Sequence, residues 1–490
     1  MPGGPRLVSR AILVAVAALA VACPKEAEPP DTDPHDSTPP DTDPDTSAPF
    51  FGAFTFTQSE VVPMVVTAAW TTTEPVACTL TYGIEGETPL TTVEGAATTA
   101  HQVALVGLPS LVDASLVVTA EASGGPEQSD EQHFQTGETP LGVPSLTYQY
   151  DEPDQVFHGF TLMPMVNAAE LRSWVCIFDD AGRVVWAVPA RAGCTRARLA
   201  PDGDGILYHD EDMDPQTETP VGAVTSVAWD GSERWRVEQE YWHHDFVILG
   251  DDRFVTFGTT TTTQDPGTPD ERVLVGDTLI EFDSAGNQRV IWNVFDYVDL
   301  DVPTTDCVLN PATGTWDFSH GNYMTWVPET GEIIGTFRNI DAIISVDVET
   351  GVANWSLSNT WGTYQPSDGQ PLLAWPHSVE PVEGGLLVFN QTTTWTEERC
   401  SHGAVLSLDQ GSGVATRTWE YETPECTQVL FMGSAQQLPN GNRMVVFSQG
   451  GLLDEIAPDG ARVARISAPF GMILGYAYRT AELRPVANQR

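Results

Sequence analysis

Trp174-Val-Cys-Ile-Phe-Asp-Asp-Ala-Gly-Arg-Val-Val-Trp186 is the stretch that decides the fold, because its pattern returns along the chain. It consists of an apolar strand, an acidic turn with glycine, and a second strand that carries tryptophan. The same order recurs at residues 279–292 and 342–355, and in looser form at 224–235, 405–419 and 452–463. Turn residues stand where a tight β-turn needs them, so each copy predicts a β-hairpin. Six such hairpins predict a repeat architecture.

A second hairpin-like stretch precedes the first in each repeat. Examples are residues 247–257, 382–389 and 438–447. Two hairpins per repeat make a four-stranded blade, and six blades predict a six-bladed β-propeller over residues 139–490. Almost nothing in this region has helical periodicity, so the predicted fold class is all-β.

Short runs of alternating apolar and polar residues precede the propeller, over residues 50–138. Three of them lie at 65–70, 78–83 and 116–120. Close strand spacing without helical periodicity predicts a small β-sandwich. The succession of a strand tryptophan, a Tyr-Gly strand and a final apolar strand resembles a fibronectin type III-like domain.

Residues 1–23 predict a lipoprotein signal peptide. Two arginines precede the apolar run 11–22, and Leu19-Ala-Val-Ala-Cys23 resembles a bacterial lipobox, in which the cysteine becomes lipidated. The alternative is a simple signal peptide that is cleaved near Ala22. Either reading predicts export.

Residues 24–49 are dominated by proline, aspartate and threonine and contain almost no apolar residues. Such a composition cannot offset the entropy of ordering, so we expect a disordered acidic linker. The folded part is then expected to be a periplasmic or cell-surface lipoprotein that the lipid on Cys23 holds at a bacterial membrane. A homodimer is compatible with the sequence.

The charge balance excludes one class of partner. The 490 residues include 68 acidic and 22 basic side chains, for a formal net charge of -46. Nucleic acids and anionic lipid headgroups both require a basic patch, so nucleic-acid binding is not expected.

Cysteine usage agrees with export. Six cysteines remain after Cys23, and an even number in an oxidising compartment permits disulfides. Proximity in sequence favours Cys176–Cys194 and Cys400–Cys426. There is no Cys-x-x-Cys pair, so a zinc or dithiol redox motif is not predicted.

Three histidines occupy similar places in successive repeats. His244, His320 and His377 each stand shortly before an inner strand, which lines the central channel of a propeller. Arg338 follows the far end of one such strand. Three imidazoles in register are therefore expected to converge near one guanidinium.

This set of side chains favours an anion over a metal. Histidines alone could bind a metal ion, but a neighbouring arginine opposes a cation. A neutral imidazole can act as a nucleophile towards a phosphoryl or sulfuryl group while cations stabilise the oxyanion. No phosphate-binding loop of the Gly-x-x-x-x-Gly-Lys type is present, so the donor is not expected to be a nucleotide.

From about residue 139 to 483 the chain resembles the bacterial arylsulfate sulfotransferase family. The matching motifs are His243-His-Asp-Phe, Asp317-Phe-Ser-His-Gly-Asn322, Phe337-Arg-Asn-Ile-Asp-Ala-Ile-Ile344, Trp375-Pro-His377, Phe389-Asn390 and Gly433-Ser-Ala-Gln-Gln-Leu-Pro-Asn-Gly-Asn442. Members of that family are six-bladed propellers that move a sulfuryl group from an aryl sulfate to a phenol. They use a transiently sulfated histidine and no nucleotide donor or other cofactor.

The resemblance implies a role for each matching residue. His377 matches the nucleophile, His320 an active-site histidine and Arg338 the sulfate-binding arginine. The remaining active-site histidine falls on His243 or His244, and the repeat register favours His244. His243, Asn322 and Asn390 are then expected to be substrate-binding residues. The expected reaction is ping-pong transfer between an aryl sulfate donor and a phenolic acceptor, without a metal.

Two other functions remain open. A propeller without catalytic activity could bind a glycan or a partner protein at a surface. The Gly-Val-Ala-Asn-Trp hairpin at 351–355 also resembles quinoprotein dehydrogenases, which need a quinone cofactor, more blades and a calcium loop that this sequence lacks. The histidine pattern does not extend to the first predicted blade. No histidine stands at the equivalent position there, although His158 lies near it in the sequence.

Overall fold

A computed structural model describes residues 49–484 except 171, 192, 214–219, 251, 306, 368 and 392–399. The predicted signal peptide, most of the predicted linker and Cys23 lie outside the described residues. Within them the chain forms β-strands and three short 3-10 helices at Pro153–Gln155, Val294–Asp296 and Ser448–Gly450. The all-β prediction is confirmed for this part of the chain. None of its helices is long and apolar enough to cross a bilayer.

The first eight strands form two antiparallel sheets. They are β1 (Thr55–Gln58), β2 (Val66–Val76), β3 (Cys78–Gly83), β4 (Leu90–Val93), β5 (Thr98–Leu105), β6 (Asp113–Ala122), β7 (Gly125–Gln128) and β8 (Gln132–Gln135). One sheet has the order β1-β2-β5, and the other has the order β4-β3-β6-β7 with β8 also on β6. Alternate residues of β2, β3 and β6 are buried, and their apolar side chains share one core between the sheets. We call this pair of sheets the N-terminal sandwich.

The remaining strands form six further sheets in the described residues. Sheet I contains β10 (Phe160–Asn167), β11 (Arg172–Phe178) and β12 (Val184–Ala190), and sheet II contains β13 (Gly193–Leu199), β14 (Gly205–Met213), β15 (Pro220–Ala228) and β16 (Glu233–Glu240). Sheet III contains β17 (His243–Gly250), β18 (Arg253–Gln264), β19 (Arg272–Phe282), β20 (Gln288–Asn293), β21 (Leu309–Asn310) and β22 (Thr315–Asp317). Sheet IV contains β23 (Gly321–Val327), β24 (Glu332–Phe337), β25 (Ala342–Asp347) and β26 (Ala353–Ser358).

Sheets V and VI complete the set. Sheet V contains β27 (Gln365–Pro366), β28 (Pro376–Val382), β29 (Gly385–Asn390), β30 (His402–Asp409) and β31 (Val414–Glu422). Sheet VI contains β32 (Ser434–Gln437), β33 (Arg443–Phe447), β34 (Leu452–Ile456) and β35 (Arg462–Ser467), and the early strand β9 (Thr147–Tyr150) pairs with β35. The last two strands, β36 (Met472–Leu474) and β37 (Tyr478–Thr480), return to β10 in sheet I.

All six hairpins predicted from the sequence are present. They are the antiparallel pairs β11–β12, β15–β16, β19–β20, β25–β26, β30–β31 and β34–β35. The glycines of their turns, for example Gly182 and Gly286, have positive φ angles of 77° and 83°. Such angles carry no steric penalty at glycine, which explains the recurrent turn residue.

One strand from each sheet contacts the corresponding strand of the next. We call β10, β13, β17, β23, β28 and β32 the inner strands, and each contacts its successor in that order. β37 bridges the last and the first, since it pairs with β10 while Arg479 exchanges hydrogen bonds with the side chain of Gln436 in β32. The inner strands therefore surround a shared interior.

A buried ion pair reinforces the junction between sheets VI and I. Arg479 Nη1 lies 2.8 Å from Glu455 Oε2, and both side chains are almost completely buried. Arg479 also donates from Nε to the Thr161 hydroxyl in β10, and Glu455 Oε1 accepts from the Asn442 amide and the Phe157 N–H. Each buried charge thus has several partners, as such groups require.

The disulfide predictions have different outcomes. Cys400 and Cys426 are bonded, as proximity in the sequence predicted. Cys176 and Cys194 both carry free thiols, so the other predicted pairing is wrong. Cys176 lies in β11 of sheet I and Cys194 in β13 of sheet II, and the Cys194 thiol donates to the carbonyl of Arg196 instead.

Candidate active site

The four histidines predicted for the site lie at the starts of three neighbouring inner strands. His243 and His244 begin β17, His320 directly precedes β23, and His377 is the second residue of β28. β17 contacts β23, and β23 contacts β28. Three adjacent sheets therefore bring these side chains to the same end of the shared interior.

A β-bulge marks the start of each of these strands. The pairing skips His244 and Asp245 in β17, Asn322 in β23 and His377 in β28. Bulges re-aim side chains and occur often beside active sites. His377 thus shares its ladder position with Asn322 rather than with His320. The prediction that three histidines stand in one register is wrong for His320, because Asn322 is the bulged residue of its strand.

The imidazoles of His243, His244 and His320 nonetheless meet. Nδ1 of His243 lies 3.0 Å from Nδ1 of His244, and the ring centroids of His244 and His320 are 5.0 Å apart. His244 and His320 have φ angles of 61° and 55°, in the left-handed region that non-glycine residues rarely adopt. Such backbone conformations persist where the surrounding structure holds them, often at functional sites.

Two carboxylates orient His320. Its Nδ1 lies 2.6 Å from Asp317 Oδ2, so Nδ1–H donates to the carboxylate and Nε2 is left for another partner. Asp277 in β19 accepts hydrogen bonds from the Ser319 hydroxyl and from the Gly321 N–H at 2.8 Å. The segment 319–321 is therefore held from both sides, in the way that a carboxylate orients a catalytic imidazole.

Tyr476 determines the tautomer of His377. Its hydroxyl lies 3.1 Å from His377 Nδ1 and 3.1 Å from the backbone carbonyl of Asn322. A hydroxyl has one proton and a carbonyl can only accept, so Tyr476 donates to Asn322 and accepts from His377 Nδ1–H. A neutral His377 then has its lone pair on Nε2. Both side chains are buried, which protects this arrangement from water.

Arg338 lies beside the same histidines. Its backbone N–H donates to the carbonyl of His320 at 3.0 Å, and its guanidinium carbon is 3.9 Å from the ring centroid of Trp375. Nη1 also donates to Asn339 Oδ1 at 2.9 Å. Since Trp375 is two residues before His377, the cation–π contact holds the guanidinium near the start of β28.

The two asparagines predicted to bind substrate differ in their surroundings. Asn322 is completely buried, and among the described residues neither its amide nitrogen nor its amide oxygen has a hydrogen-bond partner. Asn390 instead accepts from the Ala374 N–H at 3.1 Å and donates to the Leu372 carbonyl at 3.0 Å. The amide of Asn390 therefore holds the segment before β28.

A sequence model of the arylsulfotransferase family matches residues 148–468 of the 490. This range contains every inner strand and all seven residues predicted for the site. The chain belongs to the arylsulfotransferase family. Tyr476 lies beyond the matched range. No curated protein sequence matches the chain.

Several solved structures have a general likeness to this arylsulfotransferase family member. A protein of unknown function from Bacteroides caccae is 15% identical, with a TM-score of 0.38 over 66% of this chain and 100% of that chain. A putative 6-phosphogluconolactonase from Bacteroides fragilis is 10% identical, with a TM-score of 0.34 over 66% and 98%. A β-propeller domain from Myceliophteria thermophila is 9% identical, with a TM-score of 0.38 over 68% and 99%.

Burial keeps two imidazoles of this site neutral. It lowers the pKa of His377 well below its ordinary value, and the charges of His320 and Arg338 lower it further. Burial also lowers the pKa of His244 well below its ordinary value; Glu211 opposes the shift and the neighbouring imidazoles add to it. His377 can therefore offer a lone pair at neutral pH.

The charges of two other groups are set by their pairing. Burial raises the pKa of Asp317, but His320 outweighs this and holds the pKa below its usual range, so Asp317 is ionised. Burial would lower the pKa of His243, yet Asp277 at 3.1 Å raises it overall. Pairing thus favours the charged form of His243, whereas burial favours the neutral forms of His244 and His377.

Sequence reasoning missed four residues that contact the predicted set. Glu211 accepts from the His244 N–H at 2.7 Å, and Asp277, Asp317 and Tyr476 act as described above. Asp317 was detectable, because it stands three residues before His320 in a family motif. The other three come from β14, β19 and the segment between β36 and β37, and no local pattern connects them with the histidines.

His158 lies in a different place. It pairs with Asp180 at 2.9 Å and lines a cavity of about 950 Å³ between the N-terminal sandwich and sheet I. Glu87, Arg183 and Arg484 also line this cavity, and none of the seven predicted residues does. His158 is therefore not part of the candidate site.

Proposed function

We propose that this chain transfers a sulfuryl group from an aryl sulfate to a phenolic acceptor through a sulfated His377. The supporting observation is the buried, neutral His377, whose Nδ1–H is held by Tyr476 so that Nε2 carries the lone pair. It lies in a chain of the family, near the guanidinium of Arg338 and the imidazole of His320. A nucleophile beside a guanidinium suits an anionic sulfate ester.

The proposed fold is a six-bladed β-propeller in which sheets I to VI are the blades. The consecutive contacts of the inner strands and the return of β36 and β37 to sheet I support this interpretation. The proposed domain bounds are residues 50–138 for a fibronectin type III-like sandwich and 139–490 for the catalytic propeller. Closure by strands from both ends of the chain favours a rigid frame for the site.

In the first half-reaction, the Nε2 lone pair of His377 attacks the sulfur atom. The S–N bond forms as the bond from sulfur to the aryl oxygen breaks, and the phenolate leaves with that electron pair. Arg338 would stabilise the sulfuryl oxygens, and the unpaired amide of Asn322 can donate to one of them. The proton on Nδ1 stays hydrogen-bonded to the Tyr476 oxygen.

In the second half-reaction, the acceptor phenol attacks the same sulfur. Its oxygen forms the new S–O bond, its proton passes to a base, and the S–N electron pair returns to Nε2. His320 suits this base, because ionised Asp317 binds its Nδ1–H and stabilises the imidazolium that results. The same imidazolium can return the proton to the departing phenolate. His244 and His243 would complete the polar wall.

The setting of the reaction is also proposed. The signal-peptide pattern at residues 1–23 supports export and lipid attachment at Cys23, with 24–49 as a tether to a bacterial membrane. No nucleotide donor or other cofactor is part of the proposal. Donor and acceptor are small aromatic molecules that diffuse to the site, and a homodimer is left to measurement.

Turnover of a chromogenic aryl sulfate tests the proposal. Purified protein with 4-nitrophenyl sulfate and phenol should release 4-nitrophenolate, and mass spectrometry of quenched enzyme should find a sulfated peptide that contains His377. His377→Ala should lower kcat by roughly 10³-fold or more, as loss of a nucleophile does. His158→Gln, outside the candidate site, serves as the matched control and should keep full activity.

Three results would reject the transferase. The first is that folded wild-type protein releases no 4-nitrophenolate. The second is that no sulfated peptide is found, and the third is that His377→Ala keeps full activity. Folded protein without turnover would favour the alternative of a propeller that binds a glycan or partner protein.

A further inference from the structure

A mixed cluster of ligand-type side chains lies in the N-terminal sandwich, outside the candidate active site. Cys78 begins β3, Glu94 directly follows β4, and His101 lies in β5. One donor atom from each lies within 4.8 Å of the other two, and within the described residues this is the only such group found. We propose that Cys78, Glu94 and His101 bind a divalent cation of the zinc type.

The distances are close to those of a tetrahedral zinc site. Cys78 Sγ lies 3.8 Å from His101 Nδ1, which in turn is 2.8 Å from Glu94 Oε2. Ligand atoms at zinc bond lengths of about 2.0–2.3 Å stand about 3.3–3.6 Å apart. Thiolate and imidazole are therefore nearly in place. The carboxylate must move about 0.5 Å away from the imidazole and also closer to the thiolate, since the three ligand atoms span up to 4.8 Å. The Glu94 side chain is 10% exposed, so water can reach the cluster from that side and act as a fourth ligand.

The hydrogen bond on the far side of the ring identifies the nitrogen that faces the cluster. The Thr72 hydroxyl donates to the Glu74 carbonyl at 2.8 Å and lies 2.9 Å from His101 Nε2. Since its proton is used, Thr72 accepts from Nε2–H, and Nδ1 of a neutral His101 presents a lone pair to Glu94. A lone pair and a carboxylate oxygen at 2.8 Å repel unless a positive charge lies between them.

That positive charge is either a proton or a metal ion. The surrounding contacts favour a metal ion, because they orient the His101 imidazole and the Glu94 carboxylate as outer partners of metal sites do. The Trp70 ring stacks on His101 with centroids 4.8 Å apart, and the Cys78 N–H donates to Glu94 Oε2 at 2.9 Å. A divalent ion would balance the thiolate and the carboxylate, whereas a single proton leaves the thiol out of the cluster.

The ion would connect the two sheets of the sandwich. Cys78 and Glu94 belong to the sheet of β3 and β4, whereas His101 and its partner Thr72 belong to the sheet of β2 and β5. An ion that binds all three ligands is available only to the folded sandwich, so its binding stabilises the fold. This site is independent of the proposed transferase.

Titration with Co²⁺ tests the site, because cobalt replaces zinc and reports its ligands by colour. EDTA-treated full-length protein should take up one Co²⁺ per chain with a thiolate-to-cobalt charge-transfer band, and Zn²⁺ should displace it. Zn²⁺ should also raise the unfolding midpoint of the sandwich by several degrees. Cys78→Ser should abolish the band, and Glu94→Gln, which keeps the thiol and imidazole, should weaken Co²⁺ binding at least tenfold.

Cys307→Ser is the matched control, since Cys307 is a half-buried cysteine outside the sandwich. That variant should keep the band unchanged. Wild-type protein without the band, or a band that survives Cys78→Ser, would overturn the proposal and leave a hydrogen-bonded ion pair between Glu94 and protonated His101. Because the wild-type titration alone can give the first result, a folding defect in a variant does not obscure the outcome.

Discussion

Single hydrogen bonds decide what the buried imidazoles can do. Tyr476 accepts from His377 Nδ1–H because its own proton is committed to the Asn322 carbonyl. Asp317 also binds the Nδ1–H of its histidine, His320. Because Asp317 is ionised, it stabilises the positively charged form of that imidazole. Two histidines of one site thus suit the different roles proposed for them, nucleophile and base, because their partners differ.

Tyr476→Phe tests the tautomer argument. Without the hydroxyl, His377 loses the acceptor for Nδ1–H and can place its proton on Nε2, which then has no lone pair for sulfur. We expect kcat for aryl sulfate turnover to fall by roughly 10²-fold with little change in KM, as when a catalytic histidine adopts the wrong tautomer. Mass spectrometry and NMR of the quenched protein should show less sulfation at Nε2.

Tyr323→Phe is the control for this experiment. The Tyr323 ring packs edge-on against Tyr476 with centroids 5.1 Å apart and is also buried. Loss of its hydroxyl should affect stability more than kcat. Equal losses of kcat in both variants would show that Tyr476 acts only through packing.

At the scale of the strands, the site depends on close approach between sheets III and IV. Gly321 begins β23, and a Cβ atom there would come within 2.6–2.9 Å of the Phe257 ring in β18. That ring also stacks on His243, with centroids 5.5 Å apart. Glycine is therefore required at this position so that His320 can come near His244.

Strand β14 carries a buried histidine without a hydrogen bond in the described part of the chain. His209 is completely buried, and its Nδ1 lies 4.0 Å from the Glu211 carboxylate, beyond hydrogen-bond distance. Burial lowers its pKa to about 4 from the usual value of 6.5. Between these values the unfolded chain binds a proton at this residue and the folded chain does not. Stability is therefore lost as the pH falls from about 6.5 to about 4.

His209→Leu should reduce this pH dependence. For one group with these pKa values, the free energy of unfolding falls by about 2 kcal/mol between pH 7 and pH 5. Urea unfolding of both proteins at the two pH values measures the difference. The variant should show a drop that is smaller by about that amount, and a wild-type drop in His209→Leu would mean that His209 has an unseen partner.

At the scale of the whole fold, the C-terminal strands join the first and the last of the six sheets. β36 and β37 return to sheet I, and the Arg479–Glu455 pair connects that sheet with sheet VI. The same segment carries Tyr476, so this junction and the hydrogen bond to His377 depend on one stretch of chain. We therefore expect a substitution that weakens the junction between sheets VI and I also to disturb the hydrogen bond between Tyr476 and His377.

Arg479→Met should destabilise the fold by about 3–5 kcal/mol, because it leaves the Glu455 carboxylate buried without its cation. Denaturant unfolding at pH 7 measures this loss. The double variant Arg479→Met/Glu455→Gln removes both charges and should recover a large part of it. A loss below about 1 kcal/mol in the single variant would show that water or another group satisfies Glu455.

The turns and the candidate nucleophile could be predicted because their signals are local. Glycine and acidic residues mark each tight turn, and all six predicted hairpins are present. Repeat position and motif singled out four histidines, although the predicted register was wrong for one of them, His320. They are His243, His244, His320 and His377. Local signals failed for Cys176 and Cys194, which are close in sequence but belong to neighbouring sheets.

The sequence by itself determined the all-β class, the hairpins and the group of histidines, because alternation, turn chemistry and repeated motifs act over a few residues. Only the tertiary structure decided which nitrogen of His377 is free, which carboxylates hold His320, and how Cys78 and His101 face each other. Asn322 and Tyr476, which meet at His377, are 154 residues apart. Contacts across such separations arise from the packing of whole sheets, so no local pattern can encode them.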